Sequence, residues 1–231
     1  MNLKKIKSIF IFINFVITVT IVIILMRLFK SKNWSIRRAW AKLQAPLIGY
    51  KLDIKGTPSK EAKLLLINHQ SLLDIIVLEN IYPNDIAWVA KKEIAQIPFF
   101  GQILTLPDMI IIDRDDRKSL VKLFKDVKDR LKNNRTIAIF PEGTRGRGDK
   151  ILKFKSGAKL IAQKLDLIVQ PVVLVNTREI LDSQNFTARS GLVKVIYLDP
   201  INPKDDPNWY ENLHDKMQET LVNELQLLNK D

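Results

Sequence analysis

The sequence predicts an α/β fold with a mostly parallel central sheet covered by helices, preceded by a hydrophobic helical segment at the N-terminus. Short apolar runs alternate with stretches of helical periodicity, which is the pattern of parallel strands joined by helices. Before Asp53 the chain has ten basic residues and no acidic one. We therefore divide the 231 residues into a membrane-anchoring segment, residues 1–44, and an α/β domain, residues 45–231.

The N-terminal segment has the composition of a membrane anchor. Ile9 to Met26 carry no charge, and as a helix they would be about 27 Å long, close to the roughly 30 Å of a bilayer core. Trp34 and Trp40 then lie among cations, which suits a lipid headgroup layer. A signal peptide is the competing interpretation, but no small-x-small cleavage site follows.

We expect this segment in the cell membrane or an inner membrane, in one of two arrangements. The run either spans the bilayer or enters one leaflet. If it spans, the heavier basic flank behind it places the α/β domain on the cytoplasmic side.

The rest of the chain contains six predicted strands and four predicted helices. The strands are expected at residues 64–67, 86–90, 109–113, 136–140, 167–175 and 192–198. The helices are expected at residues 74–80, 117–133, 156–165 and about 206–228. Pro171 has no N–H for a strand ladder, so we expect an edge position or an irregularity there.

The composition excludes several classes of function. The chain has no cysteine, so disulfides, thiolate metal sites and a cysteine nucleophile are excluded. The net charge is +12, which is compatible with nucleic acid or an anionic membrane as a partner. Beyond the N-terminal segment, however, 27 basic residues face 25 acidic ones. This near balance counts against a membrane-tethered nucleic-acid-binding protein, the rival hypothesis from another class.

A histidine follows the first predicted strand of the domain directly, in the string Asn68-His69-Gln70-Ser71-Leu72-Leu73-Asp74. If a helix begins near Ser71, Asp74 lies in its first turn and its carboxylate can hold one nitrogen of His69. The other nitrogen could then take a proton from an alcohol, which is worth about 10²–10⁴ in rate. Alternatively, His69 is a hydrogen-bonded structural residue, so the pair alone is weak evidence.

Two further loops follow buried strands. The first loop is Phe140-Pro141-Glu142-Gly143-Thr144-Arg145-Gly146-Arg147-Gly148. Its glycines allow the backbone to bend, and its two guanidinium groups match phosphate. Its carboxylate could accept a hydrogen bond from a hydroxyl. Arg114 follows the strand at 109–113 and is a second candidate for binding phosphate. Each loop alone could be an ordinary charged surface loop. Together, a base and several cations indicate an alcohol substrate that carries a phosphate.

These strings resemble the glycerolipid acyltransferase family, and within it the 1-acyl-glycerol-3-phosphate acyltransferases. Residues 68–74 look like the family's first block, a histidine and an aspartate separated by four residues. Residues 108–114 are similar to the second block, 140–145 to the third and most specific block, and 169–172 to the fourth. Residues 91–101 also resemble a family segment. The blocks occur in family order over roughly residues 45 to 200, although Asp108 stands where the family usually has glycine.

The resemblance implies a reaction and a role for each matching residue. His69 would deprotonate the acceptor hydroxyl, with Asp74 orienting it, and the oxygen would attack the thioester of acyl-CoA or acyl-carrier protein. The phosphate-bearing acceptor, lysophosphatidic acid, would be held by Arg114, Glu142, Gly143, Thr144 and Arg145. The product would be phosphatidic acid, a phospholipid precursor. No acyl-enzyme, cofactor or metal would be needed, and the chain has no Gly-x-Ser-x-Gly elbow.

Three points stay open at this stage. The acceptor could instead be glycerol-3-phosphate or another lysolipid. An acyltransferase-like scaffold without catalysis is a further alternative, although the residues that it would need to lose are all present. Backbone N–H groups at the start of the helix after His69 are our candidates for stabilising the oxyanion.

Overall fold

A seven-stranded mixed sheet lies at the centre of the computed structural model, which describes residues 3–113 and 119–228. Its strands are β1 (Tyr50–Lys55), β2 (Leu64–Ile67), β3 (Ile86–Lys91), β4 (Ile110–Ile112), β5 (Thr136–Ile139), β6 (Val169–Val175) and β9 (Gly191–Tyr197). They are ordered β1-β9-β6-β2-β5-β3-β4, and only β6 and β9 pair antiparallel. A separate hairpin contains β7 (Leu181–Asp182) and β8 (Thr187–Ala188).

Helices precede the sheet and cover both of its faces in the described ranges. Two long ones come first, α1 (Leu3–Leu28) and α2 (Asn33–Ile48). The others are α3 (Leu73–Ile81), α4 (Lys92–Ala95), α5 (Gln102–Thr105), α6 (Ser119–Lys132), α7 (Ser156–Lys164), α8 (Thr177–Ile180) and α9 (Trp209–Leu228). The predicted fold class is therefore confirmed.

The strand β2 shows why both faces are covered. Its four apolar residues are fully buried, because Leu65 and Ile67 belong to one core cluster while Leu64 and Leu66 belong to the other. Such a continuous apolar run is typical of a parallel strand packed on both sides. The first cluster includes residues of α2 and α3, and the second includes residues of α6, α7 and α9.

The position of Pro171 corrects part of the prediction. Strand β6 lies in the interior of the sheet, between β9 and β2, so the expected edge position is wrong. The expected irregularity is present. Val172 pairs with Tyr197, but Val169 pairs with Ile201, so the β9 side carries one extra residue opposite Pro171. This bulge accommodates a residue that cannot donate a ladder hydrogen bond.

The helix α1 lies against the α/β domain along its length. Near its start, the Ser8 hydroxyl accepts a hydrogen bond from the N–H of Ala188 at 2.9 Å. Near its end, the Arg27 guanidinium donates to the side chain of Gln102. Many of its apolar residues are nevertheless exposed, among them Ile13, Ile17, Ile21 and Ile24.

The helix α2 joins the hydrophobic helix α1 to the α/β domain. Gly49 ends α2 with a φ of +87°, which a glycine adopts without steric strain. The predicted division between residues 44 and 45 therefore falls within this helix. Arg37 of α2 forms a buried ion pair with Glu79 of α3, and Arg38 donates to the carbonyl of Tyr82 at 2.8 Å. The N-terminal pair of helices is thus packed into the fold.

Candidate active site

The site forms where three neighbouring parallel strands end. Strand β2 pairs with β5 on one side and with β6 on the other, so the carboxyl ends of the three strands meet at one edge. Open α/β sheets bind ligands at this edge. His69 follows β2, Glu142 follows β5, and Thr177 follows β6.

The imidazole of His69 is held by Asp74. Nδ1 of His69 lies 2.8 Å from Oδ2 of Asp74, which is in the first turn of α3 as its sequence position predicts. Because an ionised carboxylate can only accept, Nδ1 carries the proton and neutral His69 has an unprotonated Nε2. Such a tautomer can accept a proton from a hydroxyl.

Asp74 is fully buried and receives four hydrogen bonds from the described residues. Its Oδ2 accepts from the backbone N–H groups of Gln70 at 2.7 Å and Ser71 at 2.9 Å, in addition to His69. Its Oδ1 accepts from the Thr177 hydroxyl at 2.5 Å. A buried charge requires such compensation, since each missing partner costs desolvation free energy.

The loop after β5 fixes the backbone of His69. Oε1 of Glu142 accepts from the His69 N–H at 2.6 Å, and Oε2 accepts from the Leu152 N–H at 2.7 Å. The carbonyl of His69 in turn accepts from the Gly146 N–H at 2.7 Å. Both backbone groups of His69 are therefore held by this loop, and Glu142 is 2% exposed.

A row of rings continues from His69 into the protein. The His69 ring stacks on Phe140 with centroids 3.8 Å apart, and Phe140 stacks on Trp88 at 5.4 Å. The Trp88 indole N–H donates to Glu79 at 2.8 Å, and Glu79 pairs with Arg37. Burial raises the pKa of Glu79, and the nearby positive charge of Arg37 opposes that rise.

A cavity of about 470 Å³ opens beside this row. His69, Arg145 and the ion pair of Arg37 and Glu79 all line it. Most of its other walls are apolar, and they come from α1, α2, α3 and the segment before β4: Phe15, Val19, Trp40, Leu72, Ile75, Ile76, Phe100, Ile103, Leu104 and Met109. An apolar chain can thus occupy the space next to His69.

A second, polar pocket meets this cavity at Arg145 and Gln184. Arg145, Arg147 and Arg178 line it together with Asp182. The Arg145 guanidinium donates to the Ser183 hydroxyl at 3.1 Å, and Arg178 donates to the Gly146 carbonyl at 2.8 Å. Arg145 therefore lies between an apolar compartment and a polar one.

The structure brings most of the predicted site residues together. His69, Gly143, Thr144 and Arg145 line one cavity, and Asp74 and Glu142 lie directly behind His69. Both Glu142 oxygens have backbone partners, so its side chain positions His69, and its expected contact with the acceptor stays a prediction. Arg114 lies outside the described residues. Asp108 has a φ of +51°, which explains why glycine suits this position.

Part of the prediction about the oxyanion stabilisers is corrected by the structure. The N–H groups of Gln70 and Ser71 donate to Asp74, and that of Leu73 donates to the Ser71 hydroxyl. These three donors at the start of α3 are therefore not available to a substrate oxygen. The carboxylate attracts them because Asp74 folds back onto the turn that precedes its own helix.

Two residues of the site were not identified from the sequence. Thr177 and Arg178 lie more than one hundred residues after His69 and belong to no motif that we recognised. Their contacts with Asp74 and Gly146 depend on the pairing of β6 with β2. The only local signal is their position just after a buried strand.

Together, these features define a site in which a histidine that can accept a proton lies next to an apolar cavity. A sequence model of the acyltransferase family matches residues 51–175. A 1-acyl-sn-glycerol-3-phosphate acyltransferase of Helicobacter pylori is 43% identical over 212 residues, which cover 90% of each chain. The protein of the same name in Escherichia coli K12 is 33% identical over 162 residues, which cover 68% of this chain and 65% of that one.

The solved structures agree with this result. The crystal structure of a 1-acyl-sn-glycerophosphate acyltransferase from Thermotoga maritima superposes with a TM-score of 0.77, covering 99% of this chain and 97% of that one. At 22% identity this likeness shows a shared fold. On the family match and the relative that is 43% identical, this chain belongs to the acyltransferase family.

The buried carboxyl of Glu142 leads to a prediction about pH. Burial raises its pKa from 4.5 to about 7, against the lowering effect of the N–H groups of His69 and Leu152. The folded protein thus favours the protonated form, and this contribution to stability is complete below pH 4.5 and lost as the pH rises through 7. Relative to Glu142→Gln, the wild-type free energy of unfolding should fall by roughly 3 kcal/mol between pH 4.5 and 8.

Urea unfolding of both proteins in the same detergent at pH 4.5, 6 and 8 measures this difference. The comparison removes the pH dependence that all other groups contribute equally to the two proteins. Curves of stability against pH that stay parallel would contradict the prediction.

Proposed function

We propose that this chain transfers a fatty acyl group from acyl-CoA or acyl-carrier protein to the sn-2 hydroxyl of 1-acyl-glycerol-3-phosphate, forming phosphatidic acid. The observation that carries the proposal is the dyad of His69 and Asp74 beside an apolar cavity, with Arg145 in the same cavity wall. The names of the relatives at 43% and 33% identity support this choice of acceptor.

The proposed chemistry needs one base and two substrates. Nε2 of His69 takes the proton of the acceptor hydroxyl, and the hydroxyl oxygen attacks the thioester carbonyl. Asp74 holds Nδ1–H and stabilises the imidazolium that results. The tetrahedral intermediate then collapses, the C–S bond breaks, and the imidazolium gives its proton to the leaving thiolate. The products are the ester and a free thiol, and His69 returns to its neutral form.

The acceptor phosphate is assigned to the boundary between the two pockets. A guanidinium binds phosphate through two parallel hydrogen bonds, and Arg145 is placed between the cavity of His69 and the polar pocket. Arg147, which lines the polar pocket only, is exposed to solvent. The role that the family resemblance gives to Arg114 remains part of this proposal.

The acyl chain of the donor is assigned to the apolar cavity. Along α3, Glu79 lies five residues beyond Asp74, which is about 7.5 Å at 1.5 Å per residue. The ion pair of Glu79 and Arg37 therefore lines a part of the cavity away from His69. A hydrocarbon chain cannot solvate buried charges, so its end should stop at this pair.

We further propose that α1 lies in one leaflet and that the domain is on the cytoplasmic side. Residues Lys5–Leu28 are long and apolar enough to cross a membrane, and 28% of an apolar 18-residue window in this stretch is buried within the described protein. However, Ser8 and Arg27 both contact the α/β domain from opposite ends of the helix. A perpendicular span would pull the domain into the hydrocarbon, where its polar surface is costly.

The catalytic assignment predicts that labelled acyl-CoA and lysophosphatidic acid give phosphatidic acid, and that His69→Ala lowers kcat by about 10²–10⁴. His214→Ala is the matched control, because His214 is the second histidine and lies in α9. Acyl-carrier protein as donor is tested in parallel. Full activity of His69→Ala would exclude this base, and no product from any of these substrates would exclude the function.

The phosphate assignment predicts a selective effect of Arg145→Gln. KM for lysophosphatidic acid should rise about 10- to 100-fold, because a hydrogen-bonded charge pair is lost, whereas turnover of an uncharged monoacylglycerol should not change. Arg189→Gln is the control, since Arg189 is exposed and pairs with Glu179. An equal effect on both acceptors would show that Arg145 does not bind the phosphate.

The orientation of α1 can be tested with single cysteines, because the chain has none of its own. In intact bacterial cells, Lys5→Cys and Lys30→Cys should both resist a membrane-impermeant maleimide and both react after the cells are opened. Lys216→Cys, on an exposed position of α9, reports the side of the domain. Labelling of Lys5→Cys alone from outside would show that α1 spans the membrane.

A further inference from the structure

The strand β6 ends in a turn that aims one side chain at the dyad. Asn176 follows β6 with a φ of +72°, in the left-handed region that asparagine tolerates better than most residues. Its side-chain amide donates to the Leu192 carbonyl at 2.8 Å, which anchors the turn to β9. Thr177 comes next and is fully buried.

The Thr177 hydroxyl donates its proton to Asp74. Oγ1 of Thr177 lies 2.5 Å from Oδ1 of Asp74, and two oxygens this close share a hydrogen. The hydroxyl supplies it, because the ionised carboxylate has none. The Gln70 side-chain oxygen is farther from the same hydroxyl, at 3.4 Å.

Thr177 differs from the other donors in the oxygen that it satisfies. His69, Gln70 and Ser71 all donate to Oδ2, and they come from the same short segment as Asp74. In the described part of the chain, Thr177 alone donates to Oδ1, and it reaches Asp74 from another strand. Without it, a fully buried carboxylate oxygen would lose its partner.

We propose that Thr177 is a positioning residue of this active site, acting on His69 through Asp74. Its hydroxyl holds Oδ1 and fixes the plane of the carboxylate, so that Oδ2 stays aligned with Nδ1 of His69. The inference rests on the proposed role of His69 as the base. It also gives a function to the end of β6, the strand whose Pro171 lies in the fourth family-like block.

Other charged groups near Asp74 also affect how activity depends on pH. Glu142 lies behind His69, and Arg145 is near enough to interact with Asp74 through its charge. Neither donates a hydrogen bond to Asp74 in the described residues. Loss of the Thr177 hydroxyl is therefore expected to leave their contacts in place while removing the donor to Oδ1, so that the carboxylate attracts the imidazolium proton of His69 more strongly.

The test compares Thr177→Val, which keeps the shape and removes the hydroxyl, with Thr177→Ser, which keeps the hydroxyl and removes a methyl group. For Thr177→Val we expect kcat to fall about 10- to 100-fold, with KM for lysophosphatidic acid unchanged, since one hydrogen bond to a charged group is lost. The acid limb of kcat against pH should move to higher pH. Thr177→Ser should keep both wild-type values.

Two results would overturn the proposal. One is a Thr177→Val enzyme with wild-type kcat and acid limb, and the other is equal loss in Thr177→Val and Thr177→Ser, which would indicate packing alone. If Thr177→Val does not fold, Thr177→Ala replaces it in the same comparison with Thr177→Ser.

A cycle with Asp74→Asn adds an independent readout. If Thr177 acts through Asp74, Thr177→Val should cause less than a threefold further loss in the Asp74→Asn enzyme. A full, additive loss would contradict the proposal. Activity that requires His69 but not this hydroxyl would contradict the role of Thr177 alone, whereas activity independent of His69 would contradict the proposed function itself.

Discussion

The hydrogen bond from the His69 N–H to the Glu142 carboxylate is the contact on which the site depends most. It joins two loops that are 73 residues apart in the chain, at the ends of adjacent parallel strands. A histidine that follows a strand would otherwise take many backbone conformations. The buried carboxylate fixes one of them, and the return contact from Gly146 fixes the same residue from the other side.

Contacts with Asp74, Glu142 and Gly146 hold His69 in the site. The imidazole has one nitrogen on Asp74 and one face against Phe140, so its free nitrogen keeps a constant direction. Such preorganisation matters because a base must be aligned before the hydroxyl arrives. The same loops present Arg145 at the cavity wall, so the positions of base and cation are coupled through the backbone of residues 140–146.

The sequence was sufficient for the parts of the structure that local patterns determine. The α/β class followed from alternating strands and helices, and the contact of Asp74 with His69 followed from their spacing. The partners of Glu142 and Thr177 could not be predicted, because they depend on which strands become neighbours. Of the edge position or irregularity expected at Pro171, the sequence could not select the irregularity for a related reason, since a bulge just after β9 compensates for the missing donor.

The helix α1 forms part of the cavity wall in addition to presenting an apolar surface. Phe15 and Val19 belong to α1 and line the same space as His69, while the neighbouring Ile13 and Ile17 are exposed. This part of α1 thus lies between the cavity and the surroundings of the protein. Trimming the chain to obtain a water-soluble protein would remove Phe15 and Val19 from the wall of this cavity, and a detergent tail that replaced α1 could then enter it.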